Sequence, residues 1–273
     1  LYSHLIETAG TSWAGNWMSN AFVKLVQLYE SSGYEVQSSL SPAHFPGFNL
    51  ADIPFSYIYQ DGVKMSRGGG LAMAELSFLE CLLPVVQSQN IFVIGNSFGW
   101  TTLALGLMCP TSRIVAIDMC PRPDEALGLE VTNALGKQIE AEVIALKGKS
   151  PEDVSQIVAD NFDDALDFVL IDGGHTPDQQ TEDFEICKSV ASDDCVYAFH
   201  DVINFGLVDS FVKIASANPQ LISSLLFRTP SGMAISYPAA MADQLSPIVS
   251  AFTESDERIH ALHQEGKAIL SSS

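Results

Sequence analysis

The sequence predicts an α/β fold organised around a doubly wound, mostly parallel sheet, and three observations lead there. From Met65 onward, short apolar runs rich in β-branched residues alternate with helical stretches. Regular alternation of this kind gives a parallel sheet covered by helices on both faces. The first strong strand, Ile91-Phe-Val-Ile94, runs into the turn Gly95-Asn-Ser-Phe-Gly99 and then the helical Thr101–Met108. Such a turn lets a ligand approach bare backbone, and the helix end supplies free N–H groups. Lastly, Asp118, Asp172, His175, His200 and Asp201 all fall where later strands end, the edge at which open α/β sheets bind ligands.

The elements divide into three segments. Residues 1–64 read as an N-terminal cap or lid. Asn16 to about Ser32 has the pattern of an amphipathic helix ending near Gly33, and Ser38 to Pro54 is rich in Pro, Ser and Phe and reads as irregular. Its aromatics, Trp13, Trp17, Phe45, Phe48, Phe55, Tyr57 and Tyr59, either line a pocket or cover the core. Residues 65–238 form the sheet domain. Ser66-Arg-Gly-Gly-Gly70 turns into a helix over Leu71–Val86. Strands are expected at Ile91–Ile94, Ile114–Ile117, Glu142–Leu146, Phe168–Ile171 and Cys195–Phe199. Helices are expected at Thr101–Met108, Asp124–Leu135, Pro151–Asp160, Asp178–Val190 and Phe205–Ala217, before a closing hairpin of Leu221–Phe227 and Met233–Tyr237. Residues 239–273 read as a tail of amphipathic helix ending in a frayed Ser271-Ser-Ser273.

Composition narrows the partners. The net charge is −20, from 33 acidic against 13 basic side chains, and such a field repels nucleic-acid phosphates and anionic lipid. No apolar run reaches the length of a membrane span, and the first residues lack a signal-peptide pattern, so the expectation is a cytoplasmic protein. Cys81, Cys109, Cys120, Cys187 and Cys195 are odd in number, contain no C-x-x-C, and lie in apolar contexts. They are expected as buried free thiols of a reducing compartment. Asn16–Ser32 and the tail helices are candidates for pairing in a homo-oligomer.

Three chemistries compete for the glycine turn. A dinucleotide enzyme needs G-x-G-x-x-G, and the spacing here is G-x-x-x-G. A serine hydrolase needs G-x-S-x-G, which Ser97 satisfies, with Asp172 and His200 following in order and Arg67-Gly-Gly-Gly70 imitating an oxyanion loop. Against it, nothing convincing as a strand precedes Ile91, and the glycine triplet leads into a helix. The third reading is a nucleoside site. Arg113-Ile-Val-Ala-Ile-Asp118 ends the next strand in a carboxylate that can accept both hydroxyls of a ribose.

Ile94-Gly-Asn-Ser-Phe-Gly99 followed by Val115-Ala-Ile-Asp118 resembles motifs I and II of class I S-adenosylmethionine-dependent methyltransferases, and the resemblance extends from about Met65 to Tyr237. It implies a Rossmann-like, seven-stranded sheet with a reversed final hairpin. It implies S-adenosyl-L-methionine as cofactor, held by Met65, Gly95, Asn96, Ser97, Gly99, Thr101, Asp118, Met119, Lys149, Ser150 and Asp172. Within that set, Gly148-Lys-Ser150 resembles the loop beside the adenine ring. The family often carries an acid two residues before the first glycine, where this chain has Val93.

Asp172-Gly-Gly-His175 and His200-Asp201-Val202 resemble, more specifically, the metal-dependent sugar and small-molecule O-methyltransferases of the macrolide-sugar and cephalosporin-pathway type. Catechol O-methyltransferase is a more distant likeness. The resemblance implies methyl transfer to a hydroxyl of a small molecule, a sugar or natural product, assisted by a divalent metal held by Asp172 and Asp201. Two carboxylates at one strand edge suit Mg²⁺. His200 stands where those enzymes usually carry an acid. It is a third ligand, which would favour Mn²⁺ or another softer ion, or an outer-shell group, or a satisfied structural histidine. His175, three residues after Asp172, is placed to act as general base. Ser97 then belongs to the backbone cradle. Two alternatives stay open: a methyltransferase fold that binds the cofactor without methyl transfer or for another reaction, and the Ser97 hydrolase. His4, His44, His260 and His263 are scattered and receive no role.

Overall fold

The computed structural model describes residues 20–41 and 52–272. The start of the helix expected from Asn16, the aromatics Trp13, Trp17, Phe45 and Phe48, the histidines His4 and His44, and the last serine lie outside the described residues. Helix α1 covers Ala21–Ser31, and its first turn is capped by the Asn20 side chain, which accepts from the Val23 amide at 3.1 Å. Strands β1 (Glu35–Ser38), β2 (Ser56–Gln60) and β3 (Val63–Lys64) form a small antiparallel sheet. This corrects the expectation of nothing strand-like before Ile91. The strands have four, five and two residues, too few for a period-two pattern to stand out, and their pairing is supplied by distant partners such as Glu35 and Tyr59.

Helix α2 (Met73–Val86) leads to the alternating body: β4 (Asn90–Ile94), α3 (Trp100–Met108), β5 (Arg113–Asp118), α4 (Pro123–Gly136), β6 (Glu142–Lys147), α5 (Val154–Asn161), β7 (Leu166–Ile171), α6 (Pro177–Ser189), β8 (Ala191–Phe199) and α7 (Val208–Ala217). The hairpin β9 (Leu221–Leu225) and β10 (Ala234–Pro238) follows, then α8 (Ala242–Phe252) and α9 (Asp256–Ser272). The expected fraying at Ser271 is absent, since α9 continues through it. The large sheet has seven strands in the order β6-β5-β4-β7-β8-β10-β9. The first five in that order are parallel, and β10 runs antiparallel to both β8 and β9. This is the doubly wound sheet with a reversed last hairpin. Strand order reverses between β4 and β7, so a crevice opens at their carboxyl ends.

The period of two sorts the strand side chains. Ile91 and Val93 enter one apolar cluster with α1, α2, α3 and α8, whereas Phe92 and Ile94 enter the other with Phe184, Phe199 and Phe211. Val93 is fully buried in the first cluster. Helix α8 seats Leu245 and Val249 in that cluster, and Phe252 meets Phe78 edge-on at 5.1 Å. Four cysteines are buried, but Cys81 is exposed, because α2 turns Leu79, Leu82 and Leu83 inward and Cys81 outward. No helix among the described residues is long and apolar enough to cross a membrane.

Candidate active site

The floor of the crevice is the glycine turn. Gly95 has φ +97°, and a Cβ there would lie 2.0 Å from the Asp172 carbonyl oxygen. The Gly95 amide donates to Ile117 at 2.9 Å and the Asp172 amide to Ile94 at 2.8 Å, which joins the ends of β5, β4 and β7. Gly99, at φ +82°, starts α3 with its backbone against Thr132. The buried Asn96 side chain donates to Thr132 Oγ1 at 2.9 Å and accepts from Thr102 at 2.9 Å, so its amide group shapes the turn and only its backbone faces a ligand. Ser97, at φ +46°, is exposed. From outside, the Tyr29 hydroxyl of α1 donates to the Phe98 carbonyl at 2.6 Å.

Asp118, at the end of β5, accepts from the Asn96 and Ser97 amides through Oδ2 (3.2 and 2.8 Å) and from the Cys120 amide through Oδ1 (3.1 Å). The acid expected at a ribose thus also fixes the turn. A cavity of about 520 Å³ lies over this floor, lined by Gly95–Phe98, Thr101, Asp118, Asp172, His175 and Asp201, with walls of Phe55, Tyr57, Trp100 and Phe205. A second, of about 290 Å³, shares Gly95, Asp118 and Asp172 and adds Met119, Lys149, Ser150 and Asp183. Met65 lines a third with Ser97 and Asp118.

The polar centre is built at the ends of β7 and β8. His175 stacks flat on Phe205, with ring centroids 4.0 Å apart. Its Nε2 is buried, has no hydrogen-bond partner among the described residues, and lies 3.6 Å from Asp172 Oδ1 and 3.4 Å from Asp201 Oδ2. Asp201 itself takes φ +57°, a left-handed backbone in a non-glycine residue. His200 is buried behind them, edge-on to Phe55. Its Nδ1 is 3.2 Å from Asp172 Oδ1 and 3.4 Å from Asp201 Oδ2, and its Nε2 is 3.1 Å from Glu75 Oε2. Among the described residues, Asp172, His175 and Asp201 have donor atoms within 4.8 Å of one another, and His200 Nδ1 faces the same two carboxylate oxygens. The sequence reading grouped Asp172, His200 and Asp201. The structure adds Glu75 of α2, which faces the far nitrogen of His200 and which no local motif marks.

Charges in this centre support one another. Burial alone would lower the His200 pKa, but the Asp172 and Glu75 carboxylates outweigh it and raise it well above the usual histidine value. Burial would likewise raise Asp172 and Glu75, yet the His200 ring holds both below the usual carboxylate range. For His175, attraction to Asp172 raises the pKa and burial partly offsets it. The signs give a stability profile. The carboxylate contributions are present above about pH 4 and fade as pH falls through their lowered native values. The His200 contribution is full below about pH 6.5 and fades as pH rises through its raised native value. Denaturant midpoints should therefore be highest in the mildly acidic window between and fall on both sides. A midpoint that kept rising from pH 6 to 9 would contradict a charged His200.

The hydrolase arrangement is not assembled. Both His200 nitrogens face carboxylates, and among the described residues Ser97 has no histidine partner.

Residues 92–202 match the protein family described as a methyltransferase domain. Solved structures share the fold. One is an O-methyltransferase from Bacillus cereus in complex with SAH, with 12% identity over 86% of this chain and 95% of that one and a TM-score of 0.50. Another is the O-methyltransferase TomG from Streptomyces achromogenes, involved in tomaymycin synthesis and solved with SAM, with 13% identity over 81% and 91% and a TM-score of 0.51. None of the curated proteins matches.

Proposed function

We propose, from the premise that this chain carries a class I, S-adenosylmethionine-dependent methyltransferase domain, that it methylates a hydroxyl of a small molecule with the help of a divalent metal ion. The carrying observation is the convergence of the Asp172 and Asp201 carboxylates and the unpartnered His175 Nε2 beside the glycine turn. Carboxylate oxygens are the donors a hard divalent ion prefers, and an open, partly lined site leaves positions for water and an acceptor oxygen. The cofactor would lie along the turn Gly95–Gly99, whose glycines let the Asp172 backbone and Thr132 close up against it. Residues Gly95–Gly99 and Thr101 would hold its methionine end, Asp118 and Met119 its ribose, and Lys149 and Ser150 its adenine, with Met65 and Asp172 along its flank.

Bound there, S-adenosylmethionine supplies an electrophilic methyl group and the ion eases deprotonation of the acceptor hydroxyl. Asp172 and Asp201 would hold the ion. His175, fixed by its stack on Phe205, takes the hydroxyl proton at Nε2. The glycine turn and the aromatic walls align the acceptor with the cofactor, and alignment supplies much of the rate because no covalent enzyme intermediate is needed. Phe55, Tyr57 and Phe205 beside the polar Asn204 suit a hydroxylated ring, a sugar or a natural product.

Calorimetry with S-adenosylmethionine, with and without Mg²⁺ or Mn²⁺, is the first test. Asp172→Asn and Asp201→Asn should each abolish ion binding and cut turnover of a hydroxylated acceptor by about 100-fold or more, the scale of a lost ligand charge at a reacting centre. Full activity in both would remove the metal and leave methyl transfer standing. Absence of cofactor binding would overturn the proposal altogether. Cofactor binding without turnover on any hydroxylated acceptor would favour the non-transferring alternative.

A further inference from the structure

Glu75 lies in the first turn of α2 and is completely buried. A carboxylate at that depth needs every oxygen satisfied. Oε2 accepts from the Ala72 amide at 2.8 Å and faces His200 Nε2 at 3.1 Å, and Oε1 accepts from the Ser231 amide at 2.9 Å. Glu75 does not line the crevice. Among the described residues its side chain pairs with the ring that stands directly behind the two site aspartates. Turning the ring away would strand the Glu75 charge, and the ring's Nδ1 points at Asp172 and Asp201.

We infer that Glu75 is a positioning residue for the divalent ion: it fixes the His200 ring, whose Nδ1–H then sets the separation and orientation of the Asp172 and Asp201 carboxylates, with His200 acting behind the ligands. This rests on the metal-assisted reading above. The oxygens that face His200 Nδ1, Asp172 Oδ1 and Asp201 Oδ2, are the same two that converge on His175 Nε2, so the contact bears directly on the atoms nearest the proposed ion site. Groups that orient metal ligands from behind typically alter affinity by about 10–100-fold when removed.

The test is Mn²⁺ and Mg²⁺ titration calorimetry on the full chain. Glu75→Gln should weaken ion binding by about 10–100-fold. His200→Asn, whose amide can donate from near the place of Nδ1, should retain more affinity than His200→Leu, which cannot donate at all. If Glu75→Gln fails to fold, the Asn–Leu comparison decides. Ion affinity unchanged in Glu75→Gln, with only a lowered Tm, makes the pair a structural pin and overturns the inference. So does equal affinity in His200→Asn and His200→Leu. A nitrogen coupling on bound Mn²⁺ that persists in His175→Ala would put His200 among the ligands, and also overturns it. No ion binding by the unsubstituted chain overturns the metal reading itself, and this inference with it.

Discussion

Replacing His175 by alanine is expected to lower kcat by about 10²–10⁴-fold, the range for loss of a positioned general base, while cofactor affinity holds. The expectation follows from the ring's setting. Nε2 is buried without a hydrogen-bond partner among the described residues, yet it lies 3.4 Å from Asp201 Oδ2 and 3.6 Å from Asp172 Oδ1, and Phe205 fixes the ring plane. A nitrogen so placed has a lone pair or proton to offer to whatever sits between the carboxylates. Single-turnover formation of S-adenosylhomocysteine measures the rate, and ion calorimetry on the same variant assigns the role. A base leaves ion affinity near native. A collapse of ion affinity would make His175 the third ligand and require another proton acceptor.

Gly95→Ala should be the most disruptive single methyl added to the glycine turn. Its φ of +97° is strained for any residue with a Cβ, at about 1–2 kcal/mol. The new Cβ would sit 2.0 Å from the Asp172 carbonyl oxygen, a backbone atom between two hydrogen-bonded strand ends. Relief requires β4 and β7 to part, adding an overpacking cost of about 1–3 kcal/mol. A loss of about 3 kcal/mol in denaturant unfolding is expected, together with loss of cofactor binding. Gly68 is the control: a Cβ there meets nothing within 4 Å and its φ is not positive, so Gly68→Ala should stay within about 0.5 kcal/mol. A Gly95→Ala protein as stable as that control would refute the tight junction.

Legibility followed the range of the interactions. The strand β4 and its turn could be read because an apolar run and two glycines are local signals, and Asp118, Asp172, His175 and Asp201 could be placed because strand ends line up in a parallel sheet. Glu75 could not. As an acid in the first turn of a helix it reads as a solvated partner of the helix dipole, and its burial depends on His200, 125 residues away. The role of His200 stayed open in the sequence for the same reason, since its far nitrogen is claimed by a residue no spacing rule connects to it. Strands β1–β3 escaped because short strands get their pattern from their partners, and Ser56, Tyr57 and Ile58 are all buried where alternation would expose one.

The Ser231–Glu75 hydrogen bond closes 156 residues of chain. It cannot form until α2 and the loop between β9 and β10 have both arrived, and contacts of such separation are the slowest for a chain to make. Until then Glu75, His200 and Asp172 are hydrated charges on an incomplete body. On the metal-assisted reading, a refolding experiment should recover compactness and β-structure before it recovers ion binding.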